Sequence, residues 1–178
     1  MRLFIAIPLP DELKERLAAL QQRGKARGIQ ASWPDPRGLH LTLAFLGETP
    51  EAEVPRRWEV TRTCAAGHPA FGLRTQALGG FPSDRRARVL WLGLEEPPSL
   101  LSLCRSLRQG LKDAGCSFDE KPFKAHLTLA RLKAPIDIGR FGESPEAWAF
   151  EARELTLFQS VTTAAGAQYR VIGAATLG

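Results

Sequence analysis

The pentapeptide His-Leu-Thr-Leu-Ala stands twice in this 178-residue chain, at His40–Ala44 and at His126–Ala130. Each copy alternates polar with apolar residues, the pattern of a half-buried strand. Residues i and i+2 of a strand share a face. His40 and Thr42 therefore project together, while Leu41 and Leu43 point the other way into a core. His126 and Thr128 share a face in the same way, opposite Leu127 and Leu129. The chain holds three histidines, and the repeat uses two of them. Two such strands predict one cleft lined by two histidines and two threonines.

The segments around the repeat follow one order twice. A short strand over Leu3–Pro8 precedes an amphipathic helix over Asp11–Arg27, with Leu13, Leu17 and Leu20 on one face and Gly28 as its stop. A turn-rich stretch, Trp33 to Gly38, then delivers the first motif strand, Leu39–Leu46. In the second half a strand over Val89–Leu94 leads to a helix over Pro98–Ala114. Its apolar face holds Leu100, Leu103, Cys104, Leu107 and Leu111, and Gly115 ends it. The second motif strand, Lys124–Leu132, follows. The offset is 126 − 40 = 86 residues, too long for a solenoid repeat, and it predicts an internal duplication with pseudo-two-fold symmetry. Between the halves, Glu51–Ala66 reads as a helix with Pro55 near its start. Ala70–Leu78 and Arg88–Leu94 read as strands, with Gly79–Arg86 as a polar loop between them. Phe150–Val161 and Tyr169–Leu177 read as the last strands.

Composition narrows the class. The length suits one domain or two small lobes sharing a core. No apolar run approaches the roughly 18 residues needed to span a bilayer. The start, Met1 to Pro8, is too short for a signal peptide and runs straight into Asp11 and Glu12, so it reads as a strand. The expected location is the cytoplasm, with no membrane association. Net charge is +5 and the sequence pI about 9.5, a balance that suits an anionic partner or a basic soluble surface equally. Arginines gather at Arg85, Arg86 and Arg88, and cations at Arg23, Lys25 and Arg27, where they complement a helix C-terminus. Cys64, Cys104 and Cys116 are odd in number and widely spaced, which supports neither a zinc site nor a redox pair. Free, mostly buried thiols in a reducing compartment are expected.

A histidine with an unperturbed pKa near 6.5 serves as acid or base at neutral pH. Two facing histidines, one neutral and one protonated, supply a general base and a general acid to one site. Threonine hydroxyls can bond the non-bridging oxygens of a phosphate and stabilise developing charge. No acidic cluster accompanies the histidines and no phosphate-binding glycine loop is present, so neither a metal nor another cofactor is expected. A single His-x-Thr on a strand is ordinarily a structural feature. Packing explains repeated leucines but gives no reason to repeat the polar face.

His40-Leu41-Thr42-Leu43 and His126-Leu127-Thr128-Leu129 resemble the paired His-x-Thr-x motifs of the 2H phosphoesterase superfamily. Arg2 to Ile7, Phe45-Leu46-Gly47, Pro122 to Ala125 and Ala130-Arg131 resemble, more narrowly, its bacterial and archaeal RNA 2′,3′-cyclic phosphodiesterases, also described as 2′-5′ RNA ligases. The resemblance spans most of the chain. It implies an α+β, bilobal 2H phosphoesterase fold occupying residues 1–178 as a single domain, with two pseudo-symmetric lobes around a central cleft. It implies hydrolysis of an RNA 2′,3′-cyclic phosphate end to a 2′-phosphomonoester, without a metal. By the same analogy His40 is the proton donor, His126 the proton acceptor, and Thr42 and Thr128 hold the phosphate oxygens. The sequence itself is symmetric about which histidine plays which part. The expected partner is RNA with a cyclic phosphate end or a small cyclic nucleotide, and the expected state is a monomer.

The copies diverge after their shared alanine, at Phe45 and Arg131. Both have the wrong strand parity for the catalytic face unless the strand bulges or ends there. They read either as core and surface residues or as a base-stacking platform and a phosphate contact. His68 lies before Pro69 without a repeated partner. Trp33 and Trp91 are candidate stacking platforms, and the loop arginines could guide an RNA backbone. Alternatives within the enzyme class are reversible 2′-5′ ligation and cleavage of small cyclic nucleotides or 2′-5′ oligonucleotides. Outside it stands a nucleotide-binding module without turnover.

Overall fold

The computed structural model describes residues 1–163 and 166–178. Its elements, in chain order, begin with β1 (Arg2–Pro8), α1 (Asp11–Ala26), β2 (Ala31–Ser32), β3 (His40–Glu48) and α2 (Val54–Ala66). They continue with β4 (Phe71–Phe81), β5 (Ala87–Leu94), α3 (Pro98–Asp113), β6 (His126–Ile136), β7 (Ala149–Ala152), β8 (Glu154–Thr163) and β9 (Gly166–Thr176). Two sheets carry them, one ordered β3-β1-β8-β9 and the other β2-β6-β5-β4-β7. Each motif strand pairs antiparallel with the strand that opens its own half, β3 with β1 and β6 with β5. The strand–helix–strand duplication read from the sequence is thus built into both sheets, and β3 and β6 lie close across the gap between them.

β1 is central rather than an edge strand, and Leu3 to Ile7 are all buried. The predicted helix faces hold. Leu13, Leu17 and Leu20 are buried on α1, and Leu100, Leu103, Cys104, Leu107 and Leu111 on α3. Gly28 and Gly115 end these helices at φ +71 and +66, a left-handed conformation that side chains with a Cβ resist. α1 leaves its own sheet to pack near β6 of the other. There the buried Gln21 amide donates to the carbonyls of Leu129 and Pro34, at 3.1 and 2.8 Å.

Several boundaries differ from the sequence expectation, among them the last strand, which begins at Gly166 rather than Tyr169. The Gly79–Arg86 segment is not all loop: β4 runs on through Gly79, Gly80 and Phe81, which pair with Trp91, Leu90 and Val89. Glycine suits this stretch because the Trp91 ring lies where a Cβ on Gly79 would be. Phe150–Val161 is two strands, since the chain leaves one sheet after Ala152 and enters the other at Glu154. Residues 51–53 form a 3₁₀ turn before α2 starts at Val54, and the second motif strand runs from His126 to Ile136. The expected free thiols are present: Cys64, Cys104 and Cys116 are all unpaired and buried.

Candidate active site

Both motif strands carry the same irregularity. Along β3, His40, Thr42, Ala44 and Phe45 stand opposite Pro8, Ala6, Ile5 and Phe4, so Leu43 is skipped. Along β6, His126, Thr128, Ala130 and Arg131 stand opposite Gly93, Trp91, Leu90 and Val89, and Leu129 is skipped. An extra residue of this kind reverses the alternation beyond it. Leu43 and Ala44 are both buried, Phe45 is 52% exposed, and Leu46 is buried again. The second copy repeats the pattern through Leu129, Ala130, Arg131 and Leu132. The bulges therefore return Phe45 and Arg131 to the face of the histidines and threonines. In β6 the skipped Leu129 carbonyl is the one that Gln21 satisfies.

Both imidazoles are held the same way. His40 Nδ1 lies 2.7 Å from the Gly38 carbonyl, and His126 Nδ1 2.7 Å from the Lys124 carbonyl. A carbonyl can only accept, so Nδ1 carries the hydrogen in each ring and Nε2 is the atom left to exchange a proton in the cleft. Burial pushes His40 down to about 4, against the opposing pull of the Gly38 carbonyl and with help from the charge of His126. Burial also lowers His126, opposed by the Lys124 carbonyl and reinforced by the charges of Lys124 and Arg131. The charge of His126 reaches His40, and the two rings stand on β3 and β6, which lie near each other. Thr42 and Thr128 are partly buried beside them, and their hydroxyls bond no protein group among the described residues.

The surroundings of the two rings are not alike. His40 stacks on Phe4, with centroids 4.5 Å apart and planes 25° apart. Phe158 stacks on Phe4 at 5.2 Å and on His40 at 5.8 Å, and Tyr169 meets His40 edge-on at 5.1 Å. His126 instead meets the edge of Phe81 at 5.0 Å and Trp91 at 6.2 Å, and the Lys124 ammonium lies 5.4 Å from a Trp91 ring centroid. Arg131 is exposed and forms no ion pair among the described residues, yet its charge reaches both His126 and Tyr169.

Phe4, Phe81, Phe158 and Tyr169 were not singled out in the sequence. Phe4 lies in the apolar run of a core strand, and the others come from distant strands with no motif around them. The single tyrosine of the chain was the one compositional hint. Trp91 does stand in the cleft, whereas Trp33 packs over Gly24 of α1. His68 bonds the Cys64 carbonyl at the end of α2. Among the described residues no three His, Cys, Asp or Glu side chains gather as they would around a metal ion. No described helix is long and apolar enough to cross a membrane.

Comparison with known proteins adds to this geometry. The profile of the 2′-5′ RNA ligase superfamily matches residues 9–163. An Archaeoglobus fulgidus protein named RNA 2′,3′-cyclic phosphodiesterase is 34% identical over 175 residues, covering 96% of this chain and 97% of its own. An Escherichia coli K12 protein of the same name is 34% identical over 165 residues, covering 89% and 86%. Among solved structures, a Thermus thermophilus protein superposes with a TM-score of 0.83 at 32% identity, over 99% of this chain and 98% of that one. Escherichia coli LigT complexed with 3′-AMP gives 0.79 at 29% identity, over 99% and 97%.

Proposed function

The chain belongs to the 2′-5′ RNA ligase superfamily, and on that premise we propose that it hydrolyses the 2′,3′-cyclic phosphate at an RNA end, leaving a 2′-phosphomonoester. One observation carries the proposal. Two histidines from two sheets, each with Nδ1 tied to a main-chain carbonyl, present Nε2 to a shared cleft beside two unengaged threonine hydroxyls. Relatives named RNA 2′,3′-cyclic phosphodiesterase supply the substrate class.

Water attacks phosphorus opposite the 3′ oxygen. His126 Nε2 takes the proton of the water, the P–O3′ bond breaks, and His40 Nε2 protonates the departing oxygen. Thr42 and Thr128 donate to the non-bridging oxygens as charge builds on them. Relief of the five-membered ring makes the step modest enough for two imidazoles. Burial holds His40 neutral, so its role as donor requires the phosphate anion to draw a proton onto it. Arg131 contacts the phosphate and Phe45 the base. Retention of both histidines and both threonines disfavours a binding module without turnover. Buried free thiols support action in the reducing cytoplasm, and the protein acts as a monomer, which size-exclusion chromatography checks.

The test is turnover of a cyclic-ended oligonucleotide by His40→Ala and His126→Ala. Each loss removes a proton transfer and lowers kcat by about 10²–10⁴-fold, with circular dichroism unchanged and EDTA without effect on wild type. Near-normal turnover in either variant eliminates the acid–base pair.

A further inference from the structure

The duplication supplies an internal control on charge. Residues 86 positions apart occupy matching places in the two lobes. Gly38 corresponds to Lys124, Phe45 to Arg131 and Gly47 to Lys133. Each step from the first lobe to the second exchanges a neutral residue for an exposed cation. The β4–β5 loop adds Arg85 and Arg86, with Arg88 at the start of β5, all three exposed. None of these three, nor Arg131 nor Lys133, makes an ion pair among the described residues. Some exposed arginines elsewhere pair, Arg37 with Asp35 and Arg62 with Glu59, and others, such as Arg74 and Arg105, do not among the described residues. Arg85, Arg86, Arg88, Arg131 and Lys133 thus stand without ion pairs among the described residues on β5, on β6 and on the turn that lies against β6.

The loop is anchored rather than free. The carboxylate of Asp84, its one acid, accepts from the Gly80 N–H at 2.8 Å, and the Arg86 N–H donates to the Ser83 carbonyl at 3.2 Å. The loop departs from Phe81, whose ring touches His126, and its 3₁₀ turn lies against β6. On β5, Gly93 marks the row of His126 and Val89 the row of Arg131. Four residues of strand span about 13 Å, and the loop arginines begin just beyond. A strand of several nucleotides crosses that distance from the reacting end, and a mononucleotide does not.

We propose that Arg85, Arg86 and Arg88 form a binding track for the phosphates upstream of the cyclic end, so that the enzyme selects RNA strands over cyclic mononucleotides. The track rests on the RNA reading above. It predicts the direction of the strand, with the terminal nucleoside toward the aromatic lobe of His40 and the 5′ chain leaving across Arg131 toward the loop. Single-stranded binding loses about 0.7 of log–log salt slope for each phosphate contact removed.

The experiment compares wild type with the Arg85→Ala/Arg86→Ala/Arg88→Ala variant on a cyclic-ended hexanucleotide and on a 2′,3′-cyclic mononucleotide. Binding of a 2′-phosphate-ended hexanucleotide is followed by anisotropy across a salt series. The expected result is a rise of about tenfold in hexanucleotide KM and Kd and a salt slope shallower by about 2. Mononucleotide kcat/KM stays within twofold, and a triple lysine variant retains most of the affinity. Unchanged hexanucleotide binding, or equal losses on both substrates, overturns the track. Should wild type turn over neither substrate, the proposed reaction fails, and the salt slope of binding still decides the track.

Discussion

The pH dependence of turnover should report the burial of His40. Moving its pKa from 6.5 to about 4 disfavours the protonated ring by about 3 kcal/mol, at 1.36 kcal/mol per unit. A phosphate monoanion about 4 Å from the ring, at an effective dielectric near 20, returns about 4 kcal/mol. The two contributions nearly cancel, so substrate binding should restore the His40 pKa to the neutral range. The assay is steady-state hydrolysis of a 2′,3′-cyclic mononucleotide from pH 3.5 to 9. The kcat/KM profile reads the free site and the kcat profile the complex. Both flanks of kcat/KM should fall below 6.5, because burial lowers both histidines, with the acid flank near 4. These flanks belong to the pair rather than to either ring. The kcat profile should be displaced upward by about three units. A kcat/KM profile with both flanks at or above 6.5, or two superimposable profiles, would refute the electrostatic reasoning.

Two substitutions outside the motif test how the cleft is built. Gln21→Leu leaves the Leu129 and Pro34 carbonyls without the buried amide that holds them; at about 1–3 kcal/mol for each orphaned group, urea unfolding should show a loss of about 2–6 kcal/mol. Gly79→Ala places a methyl inside the space of the Trp91 ring; the overpacking should cost about 1–3 kcal/mol and lower kcat/KM by shifting the wall beside His126, read by thermal melting and mononucleotide kinetics.

The sequence was most informative where chemistry and periodicity coincided. Repeating both the leucines and the polar face fixed two strands, their orientation and four residues of the cleft. The helices between them were equally plain from their apolar spacing. Phe45 and Arg131 were ambiguous because strand parity placed them on the wrong face; skipped residues at Leu43 and Leu129 resolve this, and a bulge leaves no local pattern to read. Within Phe150–Val161 the apolar positions shift parity at Arg153 and Glu154, from Phe150 and Ala152 to Leu155 and Leu157, and the single strand expected there misses that break, where the chain changes sheets. The aromatic cluster of Phe4, Phe158 and Tyr169 around His40 depends on three strands meeting, and periodicity within each strand carries no trace of that.

The identity of the product tests the central claim most directly. Wild-type protein is incubated with a short RNA bearing a 2′,3′-cyclic phosphate, and ³¹P NMR distinguishes the two monoesters. A 2′-phosphate beside a free 3′ hydroxyl is the expected product, formed when His40 protonates the 3′ oxygen while His126 accepts the proton of the attacking water. A 3′-phosphate would contradict which oxygen departs beside His40, and intact cyclic phosphate after prolonged incubation would contradict the reaction itself.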